Sequence, residues 1–193
     1  MTTTVRWSRH KERHERELNM GRKIYNVLFL CPGNSTCSIM AESLLSYWGR
    51  GRFQAFSAGL RPDGWVSSKA VRVLEAFDLP VDGLRSKSWR EFIEPGAPIM
   101  DFVFNVCKRM RCAPPAWPGR PVTSGWPFLD PAAMDGSELE RLEWHVRVLM
   151  ALEYRVRAFV EQPLESLDQP HLQKTLDAIA SRHGELCHQL HLH

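Results

Sequence analysis

Residues 27–45 have the sequence VLFLCPGNSTCSIMAESLL. The short uncharged loop in the middle of this stretch carries the clearest chemistry of the sequence. An apolar strand ends at Cys31, and a helix is predicted to begin at Ser38. In a strand–loop–helix unit the backbone N–H groups of the loop and the helix dipole favour a bound anion. A cysteine beside a helix N-terminus is expected to have a lowered pKa and to react as a thiolate. We therefore expect a small oxyanion over a sulfur nucleophile, bound by Gly33, Asn34, Ser35, Thr36 and Cys37.

Two further cysteines lie at and just after the end of another apolar stretch. Cys107 ends the stretch DFVFNVC, and Cys112 lies five residues later. Ligands of parallel sheets bind beyond the carboxyl ends of the strands, so Cys31 and Cys107 are expected at the same edge. The alternative is that both are small buried hydrophobic residues. No lysine follows the loop glycine in the nucleotide-binding arrangement, so a nucleotide site is not supported.

The elements that must position these residues alternate along the chain. Ser137 and Glu140 form a predicted capping box for a long helix, on which His145 is expected to face solvent, and a last helix is predicted near Asp168. Alternating strands and helices predict a parallel sheet with right-handed crossovers and helices on both faces. The predicted strands are residues 24–30, 53–58, 101–107 and a short fourth at 121–124, and the first two helices are 38–48 and 68–77.

Composition limits the classes of function. The 193 residues suffice for one buried core, and the formal net charge of +3 is too small to indicate a nucleic-acid partner. No apolar run reaches 18 residues, so no membrane partner is expected. The five cysteines are an odd number in a chain with an ample core, which favours reduced thiols and a cytoplasmic location.

Three segments are predicted along the chain. Residues 1–22 are interpreted as a disordered or over-long basic arm, residues 23–162 as the main domain, and residues 163–193 as a helix and a tail containing histidines. Cys187 and the neighbouring histidines could be metal ligands, but no spacing fixes them. We therefore expect a frayed terminus, with no metal and no cofactor.

Residues 24 to about 160 resemble the low-molecular-weight phosphotyrosine phosphatase fold, and more closely its arsenate reductase branch. CPGNSTCS resembles the family's C-x5-R-[ST] loop, and SAGLRPDG resembles its S-A-G segment. GLRSKSW and PIMDFVFNVC resemble the stretch before its second redox cysteine, and GWPFLDPAAMDGSELE resembles its Asp-Pro loop. The resemblance implies a flavodoxin-like three-layer sandwich with a four-stranded parallel sheet.

The resemblance also implies roles for individual residues. Cys31 would be the nucleophile, Asn34 would brace the loop, and Ser38 would hydrogen-bond the thiolate and lower its pKa. Asp130, followed by Pro131, would be the general acid.

A thiol relay is implied as well. Cys107 would attack the arsenate adduct on Cys31 and release arsenite, and Cys112 would pass the disulfide to thioredoxin or another dithiol reductant.

The sequence departs from the family at two places. Cys37 stands where the family has the loop arginine, whose charge-assisted hydrogen bonds are worth roughly 1.5–3 kcal/mol each. Loss of such a group typically costs about 10²- to 10³-fold in rate. Cys112 also lies closer to Cys107 than the family's resolving cysteine does, in a loop made basic by Lys108, Arg109 and Arg111.

Three hypotheses remain open from the sequence. The first is an arsenate reductase, and the second is a phosphatase for phosphotyrosine or a small phosphoester. The third is a non-catalytic protein that binds oxyanions or senses arsenite. Cys107 and Cys112 favour reduction, whereas the missing arginine favours binding.

Overall fold

The computed structural model describes residues 23–107 and 116–181. The predicted basic arm, Cys112 with its basic neighbours, Cys187 and the histidine tail lie outside these residues. The described helices and strands, in chain order, are β1 Tyr25–Cys31, α1 Cys37–Trp48, β2 Phe53–Gly59, α2 Ser68–Ala76, β3 Phe102–Cys107, β4 Val122–Phe128, α3 Glu138–Val160 and α4 Gln169–Ser181, with 3₁₀ turns at Trp89–Phe92, Pro131–Ala133 and Leu164–Ser166.

The four strands form one parallel sheet in the order β2-β1-β3-β4. β1 lies between two strands, which explains its nearly continuous apolar sequence, since a central strand is buried on both faces. The predicted four-stranded parallel sheet flanked by helices is confirmed. Helices were expected on both faces, but within the described residues all four α-helices contribute to the core on one face, and the 3₁₀ turn Trp89–Phe92 contributes to the cluster on the other.

The main core lies on one face of the sheet and receives side chains from all four helices. Its centre is aromatic: Trp126 stacks on Phe104 with ring centroids 4.1 Å apart, and Phe159 of α3 meets both rings edge-on. A smaller cluster on the other face includes Phe92 of a 3₁₀ turn and Trp117. The sheet is thus fixed on both sides beneath the strand ends that carry Cys31 and Cys107.

β4 is longer than the sequence suggested. Residues 121–124 were the predicted strand, but β4 extends to Phe128. Its buried side chains alternate at Ser124, Trp126 and Phe128, while Pro127 points outward. Pro127 is tolerated because β4 is an edge strand, where a missing N–H on the open side breaks no ladder.

The last helix covers this edge. The side-chain amide of Gln173 donates to the backbone carbonyl of Thr123 at 3.0 Å, and Leu176 and Ile179 are buried in the main core. α4 therefore packs on the same core as the rest of the described chain. The division of the chain at residue 162 stays a prediction.

His145 is buried, and the expectation that it faces solvent is wrong. Only 1% of its surface is exposed, and its Nδ1 lies 2.6 Å from the carbonyl oxygen of Arg141 in the preceding turn. The buried face of α3 is wider than its apolar residues alone indicate. It includes the imidazole ring, which can bury its carbon edge while the backbone accepts its N–H.

No helix among residues 23–107 and 116–181 is both long and apolar enough to cross a membrane.

Candidate active site

The Cys31 sulfur ends β1 and faces the loop that follows it. Its Sγ accepts the backbone N–H of Asn34 at 3.1 Å and lies 3.0 Å from the Oγ of Ser38. The side chain of Cys31 is 6% exposed. The Asn34 amide thus turns toward the sulfur, in the direction that the strand–loop–helix order predicted.

The outer side of the loop is attached to the segment that follows β2. The carbonyls of Cys31, Pro32, Gly33 and Ser35 accept backbone N–H groups of that segment at 2.8–3.1 Å. Because these carbonyls face outward, the inner side of the loop is left to N–H donors. This is the arrangement that an anion-binding loop requires.

Gly33 lies close to the side chain of Asp63, which a larger residue would have to displace. A Cβ at this position would lie 2.3 Å from a carboxylate oxygen of Asp63. Asp63 accepts a hydrogen bond from the hydroxyl of Ser35 at 2.6 Å and donates its own N–H to the Gly33 carbonyl. The Ser35 hydroxyl therefore holds the outer segment of the site.

Asn34 braces the loop through its side chain. It has a positive φ of 49°, a strained conformation for a residue other than glycine. Its Nδ2 donates to the hydroxyls of Ser38 at 2.9 Å and Ser57 at 2.8 Å, and its Oδ1 accepts the N–H of Lys87 at 2.7 Å. These hydrogen bonds offset the strain and hold the Asn34 N–H on the sulfur.

Thr36 and Cys37 complete the loop. Thr36 is 3% exposed, and its Oγ1 meets no hydrogen-bond partner within the described part of the chain, so it can donate to an oxyanion. Cys37 opens α1, and its Sγ lies 3.9 Å from the carbonyl oxygen of Leu129. A neutral thiol thus lies at the position where the resemblance to the family leads us to expect an arginine.

Burial dominates the electrostatics of both loop thiols. Burial raises the pKa of Cys31 above its ordinary value, although hydrogen bonds from Ser38 and Asn34 act in the opposite direction. The expectation of a lowered pKa is therefore wrong for this chain, because no described cation offsets the loss of water. Burial also raises the pKa of Cys37 well above its ordinary value, and the charges of Cys31 and Asp130 add to the effect.

Cys107 ends β3 beside Cys31. Alternation along a strand would place Cys107 on the face opposite Val106, yet both belong to the buried cluster that contains Cys31. The pairing of β3 with β4 shifts register between Asn105 and Cys107, and such irregularities turn a side chain to the other face. None of Cys31, Cys37 and Cys107 takes part in a disulfide bond within the described residues, and the charges of Cys31 and Cys107 both raise the pKa of Cys37.

Asp130 lies next to the loop but is engaged locally. Its Oδ1 accepts the N–H of Ala132 at 3.0 Å and caps the 3₁₀ turn Pro131–Ala133. The preceding carbonyl, that of Leu129, contacts Cys37, which places the exposed Asp130 carboxylate near the mouth of the loop. Its role as a proton donor stays a prediction.

The sequence analysis missed three residues that support the loop. Lys87 and Glu42 form an ion pair behind it at 3.1 Å, and Ser57 links this pair to Asn34. Glu42 lies four residues after Ser38 on an otherwise apolar helix face, which was the available signal. No group of three or more His, Cys, Asp or Glu side chains within residues 23–107 and 116–181 is arranged to hold a metal ion.

Comparison with known proteins agrees with this geometry. The family model of the low molecular weight phosphotyrosine protein phosphatases matches residues 26–113. The arsenate reductase of Shouchella clausii is 28% identical over 142 residues, which cover 74% of this chain and 98% of that protein. The glutaredoxin arsenate reductase of Synechocystis sp. is 30% identical over 114 residues, covering 59% of this chain and 82% of that protein. A solved arsenate reductase in the phosphate-binding state is 25% identical with a TM-score of 0.59, covering 71% of this chain and 97% of that one.

A cysteine that ends the first strand of a parallel sheet, under a loop of inward N–H groups, defines a class of thiol-dependent oxyanion proteins. The chain belongs to the low molecular weight phosphotyrosine protein phosphatase family. The two relatives and the solved structure named above are arsenate reductases.

Proposed function

We propose that this protein reduces arsenate to arsenite by a cysteine relay that begins at Cys31. The observation that carries the proposal is the position of the Cys31 sulfur, which accepts the Asn34 N–H beneath the loop while Cys107 ends the neighbouring strand. The similarity to arsenate reductases over nearly their whole length supports it.

In the first step the oxyanion binds in the loop, and the Cys31 thiolate attacks arsenic. A sulfur–arsenic bond forms and an arsenic–oxygen bond breaks, with the departing oxygen leaving as water. Asp130 is the proposed proton donor to that oxygen because its carboxylate lies beside the mouth of the loop. Ser38 stabilises the thiolate through its hydroxyl at 3.0 Å.

In the second step Cys107 attacks the sulfur of Cys31. A disulfide forms, the sulfur–arsenic bond breaks, and its electron pair remains on arsenic, which leaves as arsenite. Two thiols lose two electrons and arsenic gains two, so the step balances. The register shift that turns Cys107 toward the Cys31 side of the sheet serves this attack.

The disulfide must then be reduced to restore the protein. Cys112, which lies outside the described residues, is the proposed resolving thiol, and thioredoxin or another dithiol protein is the proposed reductant. Such a cycle requires a reducing compartment, and we place the protein in the cytoplasm.

Cys37 makes the proposed enzyme slower than one with an arginine. A thiol is a weak, neutral donor and cannot form the two charge-assisted hydrogen bonds of a guanidinium. The same feature favours the second candidate function, a protein that binds oxyanions or arsenite without turnover.

The test is arsenate-dependent oxidation of NADPH, coupled through thioredoxin and thioredoxin reductase. Cys31→Ser and Cys107→Ser are the matched controls, and p-nitrophenyl phosphate is the parallel substrate. NADPH consumption that both variants abolish supports the reductase. Hydrolysis of p-nitrophenyl phosphate that needs Cys31 but not Cys107, without arsenate turnover, identifies a phosphatase. If arsenate alters no thiol while arsenite protects thiols from alkylation, the protein is a binder and the proposal is wrong.

A further inference from the structure

The outer face of α3 carries large apolar side chains that the core does not use. The buried residues of α3 recur along one face of the helix: His145, Val148, Leu149, Ala151, Leu152, Arg155, Val156 and Phe159. At 3.6 residues per turn, Met150 lies on the opposite face. Met150 is 58% exposed, and Tyr154, one turn later on the same face, is 46% exposed. Within the described part of the chain, α3 therefore presents apolar surface on the side that points away from the core.

This apolar surface continues from α3 onto the end of α1. Tyr47 and Trp48 are each 37% exposed, and their rings meet edge to face. The guanidinium carbon of Arg157 lies 4.5 Å from the centre of the Trp48 ring, which joins the two helices at this surface. Aromatic residues, methionine and arginine are the side chains enriched in protein interfaces. The composition of this surface is thus typical of a contact with another protein chain.

The charges around Met150 stand in a self-complementary order. Glu143 and Arg147 lie seven and three residues before Met150, and Glu153 and Arg157 lie three and seven residues after it. When two copies of a helix pack antiparallel about a two-fold axis at Met150, each residue faces the one at the same distance on the other side of the axis. Arg147 then faces Glu153 of the second copy, and Glu143 faces Arg157 of the second copy. An axis at any of the four charged positions would instead bring two identical charges together.

A solvated helix face explains these residues only in part. Glutamate four residues before arginine occurs twice here, and such pairs stabilise an exposed helix slightly. That spacing explains the charges but not the exposed side chains of Met150 and Tyr154 among them. Single exposed apolar residues are common on protein surfaces, whereas these two lie on one helix face that adjoins the aromatic pair of α1.

We propose that the outer face of α3 is the interface of a symmetric dimer of this chain, with Met150 at the two-fold axis. Residues 143–157 span about four helical turns, roughly 21 Å, and Tyr47 and Trp48 widen the contact. An interface of this size is small for a stable complex, so we expect a dissociation constant in the micromolar range. Because a two-fold contact uses the same face of both copies, association through α3 stops at two chains. The dimer does not depend on the proposed function.

Sedimentation equilibrium of the full chain under reducing conditions tests the dimer, because the reductant removes disulfide-linked species. The wild type should show a monomer–dimer equilibrium. Arg147→Glu should weaken dimerisation about tenfold or more, since it replaces two attractive contacts across the axis by two repulsive ones. Glu153→Arg should weaken it similarly for the same reason. The double variant should restore most of the affinity, because the two charges are then exchanged.

The charge exchange also tests the register of the two helices. A double variant that dimerises no better than either single variant would overturn the axis at Met150. A wild type that stays monomeric at every concentration, as when another segment or another protein covers α3, would overturn the dimer itself. A wild type whose mass grows beyond two chains would overturn the closed two-fold contact.

Met150→Cys gives an independent check, because a residue on the axis faces its own copy. Under mild oxidation a disulfide should join two chains through position 150, and mass spectrometry of the linked peptides distinguishes it from links through the native cysteines. Leu139→Cys is the matched control: Leu139 is 66% exposed on the same face of α3, but its two copies should lie about 33 Å apart along the helices. Equal crosslinking at both positions would indicate random collisions and contradict the proposed axis.

Discussion

At the scale of single residues, the loop carries the thiol of Cys37 at the position where the resemblance to the family leads us to expect an arginine. The loop keeps its inward N–H groups, its bracing asparagine and the Ser38 hydroxyl, but burial raises the pKa of Cys31. The rate at which Cys31 reacts should therefore keep rising with pH above the pKa of a solvent-exposed cysteine.

Cys37→Arg tests this point directly. The guanidinium would add a positive charge beside Cys31, so the midpoint of Cys31 alkylation should fall and phosphate should bind more tightly. In the arsenate assay we expect a gain of about 10²-fold, the usual worth of one preorganised donor. Cys37→Lys is the control for charge without the planar fork and should restore less. Equal rates in the wild type and Cys37→Arg would show that the loop does not limit the reaction.

The positions of the catalytic candidates were predictable from the sequence, whereas their protonation states were not. Cys31 and Cys107 were recognised because each ends an apolar stretch, and parallel strands share a carboxyl edge. The direction in which the Cys31 pKa shifts depends on burial and on neighbours from distant segments. The spacing of residues in the sequence reports neither. Lys87 was missed for the same reason, since it lies 45 residues from its partner Glu42.

At the scale of elements, α3 connects the Asp130 turn to the core. The element was predictable from its capping box and apolar period, and both are present in the structure. The contacts of its inner face were not predictable, because the buried His145 has the polarity of a surface residue. The predicted β4 was too short: the strand continues through Pro127 to Phe128, and a proline is tolerated there only because β4 lies at an edge, which is a property of the whole sheet.

Ser137→Ala should destabilise the protein by about 1 kcal/mol. The Ser137 hydroxyl accepts the Glu140 N–H, and the Glu140 carboxylate accepts the Ser137 N–H, so the substitution leaves a donor of the first turn unpaired. Urea unfolding followed by tryptophan fluorescence measures the change. Glu140→Gln retains an acceptor and should be nearly neutral. An equal loss in both variants would contradict the capping explanation.

His145 should make the protein sensitive to acid. Burial lowers the pKa of His145, with Lys69 acting in the same direction and Asp130 and Glu138 in the opposite one. The unfolded chain takes up the proton near pH 6.5, whereas the folded protein does so only at lower pH. The stabilisation is thus complete above the unfolded pKa and is lost as pH falls through the folded pKa. The free energy of unfolding of His145→Gln should decline less than that of the wild type between pH 7 and pH 5. Parallel declines would exclude His145 as the cause.

At the scale of the whole molecule, α4 protects the open edge of the sheet. β4 is the edge strand beyond β3, and Gln173 of α4 binds the Thr123 carbonyl while Leu176 and Ile179 enter the core. An uncovered edge strand offers unpaired backbone groups to another chain.

Leu176→Asp should detach α4 and cause the protein to associate. A charge in the core position of Leu176 is incompatible with docking, so β4 would become available for pairing between molecules. Light scattering after size exclusion should show a mass that rises with concentration. Adding Thr123→Lys, at an exposed position of β4, should reduce this association because edge lysines oppose pairing. A monomer at all concentrations would show that α4 is not needed as a cover.

Because α4 follows β4 in the chain, β4 is synthesised before the helix that covers it. About 40 residues separate the end of β4 from the start of α4, and at roughly 5–20 residues per second a ribosome needs about 2–8 seconds to make them. During that interval β4 has been made but its cover has not, since all four strands precede α3 and α4 in the chain. Nascent chains on the same polysome could therefore pair through their uncovered β4 strands during this interval. A chaperone that binds β4 would prevent such pairing.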